Sequence, residues 1–283
     1  MADVDLFLPD LLYCDRKKTI DLLSVIVNDL VTEYSIKQTN EKTKEHELEA
    51  SLNTPLGKIV ARYKGDNNRS VEREGIVKLP TAALFTDLYT ILNSENKVQR
   101  LVGFDEDIIS QLQVGEFIEI DGSVTLSPVE AALSSIVDLV NQFKGLFSEQ
   151  AGTEQIALLA NLLKPKSATV ILKPYNEITT SFVSSLNLIE ENLFTEHYEI
   201  EGEFTLFGRV RKITPVNNKV ELIKFLPGKL RMKEEEMIKF FNGFNDMRQQ
   251  GLSFGNGVDF NENSLYLDGP VIEINPIAVY QNS

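Results

Sequence analysis

Tryptophan is absent from this chain of 283 residues, cysteine occurs once, at Cys14, and histidine twice, at His46 and His197. One thiol closes no intrachain disulfide, and one thiol with two imidazoles falls short of the Cys/His set of a structural zinc site. No apolar run reaches the ~20 residues that a bilayer-spanning helix needs. The opening Met1-Ala2-Asp3-Val4-Asp5 is acidic where a secretory leader is basic. The chain therefore reads as cytoplasmic, with no membrane partner and a fold held by packing. Positive charge is scarce too: 28 Lys+Arg stand against 42 Asp+Glu, a formal charge of −14. Such a balance repels nucleic acid at long range.

Catalytic signatures are missing in the same way. There is no G-x-S-x-G elbow, no H-E-x-x-H, no Walker loop and no G-x-G-x-x-G entering a helix. The stretch Gly251-Leu252-Ser253-Phe254-Gly255-Asn256-Gly257 leads into no clear helix and reads as a loop. Arg16 and Lys17 would favour a Cys14 thiolate, but no base stands near, so Cys14 reads as a half-buried cysteine at a strand end. His197, alternating with Tyr198, reads as structural. Asp105-Glu106-Asp107 is explained by a helix N-terminus, where acids complement the dipole. Asp10 with Glu95-Asn96-Lys97 faintly echoes a metal-dependent nuclease, yet Glu95 falls at a helix end rather than in a strand. No residue is assigned as catalytic or metal-ligating, and no cofactor is called for.

What is present is ample apolar material, 42% of residues, and a readable order of elements. An apolar stretch from Leu6 to Cys14 leads to Asp15, which caps a helix carrying Ile20, Leu23, Val27 and Leu30. Residues 38–49 are polar without a period. Segments 57–63 and 70–77 predict a hairpin about Gly65-Asp66-Asn67-Asn68. Pro80 opens a helix whose apolar face is Leu84, Phe85, Leu88, Ile91 and Leu92. A short helix from Asp105 turns Ile108, Ile109 and Leu112 inward. Residues 129–163 predict a helical hairpin, and Lys164-Pro165-Lys166-Ser167 ends it. Strands over 168–172, 204–213, 219–225 and 271–280 and a helix over 233–248 complete an α+β class, with antiparallel strand units and packed helices. The division falls into a 1–163 half and a 168–283 half.

Two features stand out from this background. Glu116–Leu126 reads as two strand arms around Gly122, and Glu196–Leu206 repeats it 80 residues later with Gly202 on Gly122, predicting an internal duplication. The second is charge placement. Residues 209–233 hold Arg209, Arg211, Lys212, Lys219, Lys224, Lys229, Arg231 and Lys233 against Glu221 alone. Arg209 and Arg211, two apart on a strand, are expected to share a face and to present guanidinium forks to phosphate. The plainer reading is a solvated strand face neutralised from elsewhere. In the helical hairpin, Val140, Phe143 and Phe147 are candidates for a partner-binding surface, set against ordinary core burial.

At Leu11-Leu12-Tyr13-Cys14-Asp15 followed by Thr19-Ile20-Asp21-Leu22-Leu23, at Phe204–Val210 and at Gly269–Tyr280, the chain resembles a bacterial family catalogued only as a domain of unknown function. Members of that family open on a "YLD" strand and helix and close on a P-I-A-I-Y strand; Cys14 stands where leucine is more usual. The resemblance implies a cytosolic bacterial protein, in some cases encoded among phage-defence genes, and transfers no catalytic residue. The first expectation is thus a non-enzymatic protein-binding or regulatory module whose partner is another protein or a second copy of the chain. The alternatives are a sensor that binds a phosphate-bearing ligand, nucleotide or nucleic acid through Arg209, Arg211 and Lys212, and a metal-dependent nuclease.

Overall fold

A computed structural model describes residues 9–26, 79–101, 106–131, 167–175, 183–194, 200–225, 233–249 and 262–282. The predicted hairpin over 57–77, the polar stretch 38–49, the part of the predicted 129–163 helical hairpin that follows residue 131, the 251–257 loop, His46 and His197 lie outside them.

Strand β1 (Pro9–Cys14) runs into helix α1 over 16–26, and the Asp15 carboxylate accepts the Lys18 N–H at 3.0 Å, which caps that helix as expected. Helix α2 (Thr81–Ser94) follows Pro80 and buries Leu84, Phe85, Leu88, Ile91 and Leu92, the face its spacing predicts. Then come β2 (Val98–Leu101), α3 (Glu106–Gln111), β3 (Phe117–Leu126), a helical turn at 128–131, β4 (Ser167–Pro174), β5 (Val183–Ile189) and β6 (Gly202–Thr214). Strand β7 (Lys219–Glu221) ends in a 3-10 turn over Leu222–Phe225, shorter than the strand expected there. Helix α4 (Glu234–Gln249), β8 (Tyr266–Asp268) and β9 (Val271–Asn282) complete the order. The class is α+β. Among the described residues, no helix is long and apolar enough to cross a membrane.

Seven strands, drawn from both sides of residues 164–167, join one sheet, and β7 pairs with β8 in a separate ribbon. Five of the seven close on themselves: β3 pairs β4, β4 pairs β5, β5 pairs β9, β9 pairs β6, and β6 returns to β3. Of these five contacts only β5–β9 is parallel; outside the ring, β2 also runs parallel to β3. Counted along the chain, the ring runs first, second, third, fifth, fourth, which is the connectivity of the five-stranded Greek-key barrel known as the OB-fold. Its interior is apolar, with Ile118, Ile120, Val170, Leu172, Leu186, Leu206, Ile272 and Ile274 in one cluster. Ile109 and Leu112 from the α3 segment pack against that core, as do Leu12, Tyr13 and Leu193. A second core lies outside the barrel, where Leu23 and the buried face of α2 cover Phe207, Ala278 and Tyr280.

The expected pair of arms around Gly122 is instead one continuous strand, and the expected duplication is not shown. Gly122 sits mid-strand, whereas Gly202 starts β6 with a φ of +151°, and the two look-alike segments pair antiparallel with each other, Gly122 opposite Phe204 and Val124 opposite Gly202. Gly122 is required for a local reason. A β-carbon there would collide with the backbone oxygen of Lys173 on β4. Replacing Gly122 by Ala should therefore cost about 2–3 kcal/mol, the scale of overpacking against an unyielding neighbour, read as a lower urea midpoint with an unchanged slope.

Candidate functional site

On β6 the alternation of side chains breaks at Arg211. Val210 is opposite Ile274 and Lys212 opposite Glu273, so the register shifts by one residue and Arg211 is the extra residue of a bulge. Arg209, opposite Asn275, and Lys212, opposite Glu273, thereby project from the same outer side, and Arg211 is exposed between them. The three predicted site residues are close in the chain but differently engaged. The Arg209 Nε donates to the Gly115 carbonyl at 2.9 Å and its guanidinium lies 5.0 Å over the Phe117 ring, holding the entry to β3. Lys212 Nζ is 3.8 Å from the Glu273 carboxylate. Lys224, from the 3-10 turn, approaches the same Glu273 oxygen at 2.9 Å and stands 5.0 Å over the Phe225 ring.

Arg211 opens onto a small hollow of about 140 Å³, bounded by Lys18 of α1, Asn187 and Ile189 of β5, Phe225, and the Glu273–Pro276 stretch of β9. That is room for roughly five waters, or for one phosphate-sized group. Lys18 Nζ is fixed there by Asp15 at 2.9 Å and by the Pro276 carbonyl at 3.2 Å. The Asn187 Oδ1 is buried and accepts no hydrogen bond among the described residues. A flexible cation, a fixed cation, an amide and an aromatic ring thus meet on the outer surface of β5, β9 and β6. This combination suits an anion carried by a planar or extended ligand. The basic run in the sequence points to the β6 cations and to Lys224; Lys18 and Asn187 reach the site through the fold, which no local pattern announces.

A family model described as a domain of unknown function, DUF6414, matches residues 8–280. The chain belongs to the DUF6414 family. No curated protein and no solved structure matches it.

Other candidates in this DUF6414 chain resolve into structural roles. Glu119, 2% exposed, accepts from the Tyr280 hydroxyl at 3.0 Å and lies 3.4 Å from Arg100 Nε. Arg100 also donates to Asp121 at 2.9 Å, and Asp121 accepts from Thr205 at 2.6 Å. Burial holds the Tyr280 and Tyr89 hydroxyls protonated well above the ordinary phenol range, so they serve as donors. Asp10 lies on β1 and Glu95 caps the C-terminus of α2. Among the described residues, no three His, Cys, Asp or Glu side chains gather where a metal ion could sit. Val140, Phe143 and Phe147 lie outside the described residues.

Cys14 is 1% exposed, and burial pushes its thiol up to about 11 despite the Thr19 hydroxyl at 3.6 Å. It should react with a disulfide reagent at pH 8 only when urea unfolds the chain. Glu130, 2% exposed beside the Thr169 N–H, is pushed by burial up to about 7. The folded chain binds this proton more tightly than the unfolded chain. The stability that it contributes is therefore full below about pH 4.5 and is lost as pH rises through about 7. Glu130→Gln, neutral throughout, should raise stability at pH 8 by on the order of 3 kcal/mol, with the gain shrinking toward zero near pH 4 in thermal melts.

Proposed function

We propose that this chain is a non-catalytic binding module whose hollow takes a phosphate of a nucleic-acid strand lying over the outer barrel surface. The observation that carries this reading is the meeting of Lys18 and Arg211 on one concavity, with Phe225 beside it and with Lys212 and Lys224 held at its Glu273 wall, in a protein of formal charge −14. Elsewhere the negative surface opposes a polyanion, so contact is confined to this patch and only a few phosphates are engaged. The barrel connectivity supports the same ligand by fold-level analogy, because OB barrels bind oligonucleotides on the outer face of their second and third strands and on the flanking loops. Here those strands are β4 and β5, and β5 supplies Asn187 to the hollow.

Docking of a partner protein through Val140, Phe143 and Phe147 is the competing proposal. Val129, the first residue of that apolar stripe, is 1% exposed, which favours core burial at least for its start. A cytoplasmic bacterial setting, with phage defence as its context, belongs to the same proposal as the strand-binding role.

Fluorescence anisotropy with labelled single-stranded DNA and RNA, competed by a nucleoside triphosphate and by inorganic triphosphate, tests the reading and separates a strand from a free phosphate ligand. With about three phosphates held, log K should fall against log salt with a slope of about −2. Arg211→Glu should weaken binding at least tenfold at low salt, while Lys219→Glu, on the separate β7–β8 ribbon, should leave it within twofold. Equal binding by wild type and Arg211→Glu, or no binding of any probe, would remove the proposal.

A further inference from the structure

We infer that Glu273 is a resident anion of the hollow, a specificity-determining residue that any incoming phosphate has to outcompete; this rests on the phosphate-binding reading above. Among the described residues that line the cavity Glu273 is the sole acid, and it is 4% exposed. Its carboxylate occupies the cations that a ligand would need, Lys224 at 2.9 Å and Lys212 at 3.8 Å. The two contacts are unequal. The Lys224 contact is short and its side chain is 36% exposed, so this pair is the fixed one; Lys212 is long-range, with its side chain 59% exposed, and is the cation free to turn toward a ligand. A phosphate entering beside Arg211 therefore meets both an exchangeable ammonium and a like charge that cannot leave, since Glu273 lies mid-strand between β5 and β6. The like charge lowers affinity for every phosphate and lowers it most for ligands that bring a single one, because a strand can offset the penalty with contacts outside the hollow.

Glu273→Gln keeps the shape and an acceptor for Lys224 but removes the charge. Binding of a single-stranded oligonucleotide should tighten five- to tenfold at fixed salt, binding of inorganic triphosphate should tighten by more, and the salt slope for the strand should steepen by about 0.7, one further counterion released. The melting temperature should fall, because Lys224 and Lys212 lose their carboxylate. Opposite signs for affinity and stability distinguish this role from scaffolding, in which both would fall together. Glu273→Asp, which retains the charge, should bind as wild type does. Should Glu273→Gln fail to fold, comparing Lys224→Gln with the Lys224→Gln/Glu273→Gln double variant asks the same question with the buried charge and its partner removed together, and the double variant should bind more tightly. Wild-type binding with no gain on neutralising Glu273 overturns this inference alone; no binding by either protein overturns the phosphate-binding reading and this inference with it.

Discussion

One strand has to serve three others. β3 gives one edge to β6 over Phe117–Val124 and divides the other, first to β2 over Phe117–Ile120 and then to β4 over Gly122–Leu126. The change of partner falls at Gly122, where the missing side chain lets the β4 backbone come close enough to pair. If that approach is blocked, β4 and β5 have no route round to β9, and a closed barrel becomes an open sheet with free edges. The apolar interior and the position of every cation in the hollow follow from this closure.

Outside the barrel the same strands carry a second, different stabilisation. Phe207 stacks nearly parallel on Phe117 at 6.0 Å and meets Phe85 of α2 at 5.7 Å, and Phe85 reaches Tyr280 at 5.4 Å. Next to this aromatic layer, the buried Glu119 carboxylate gathers Tyr280 from β9 and Arg100 from β2. Apolar contact gives the greater part of the attraction, while the hydrogen-bonded carboxylate fixes which residues face each other. With the apolar faces of α1 and α2 spent on this side, the outer surface of β5, β9 and the end of β6 is left to the hollow, which α1 reaches only through Lys18.

The local rules were legible where local physics decides. The Asp15 cap, the α2 face from Leu84 to Leu92 and the long final strand are set by spacing and by turn chemistry, and each stands where the sequence placed it. Non-local features were not legible. Of the look-alike segments 116–126 and 196–206, the described parts lie side by side in one barrel wall, where 120–124 pair with 202–206, so a shared environment accounts for likeness there. The bulge at Arg211 leaves no mark in composition, because it is imposed by the register with β9. The candidate site was half visible: the β6 cations form a run, whereas Lys18 is 193 positions from Arg211 in the sequence and joins it only through the fold.

β9 lies between β5 and β6 and also pairs with β1, so that Pro9 stands opposite Asn282. It is the keystone of the ring and, of the strands described, the last to be made. During synthesis, the far edges of β5 and β6 and the whole of β1 wait without their partner until residues 271–282 have cleared the ribosome. Closure of the ring therefore waits on this one strand, and a chain that lacks residues 271–282 carries three unpaired edges at once.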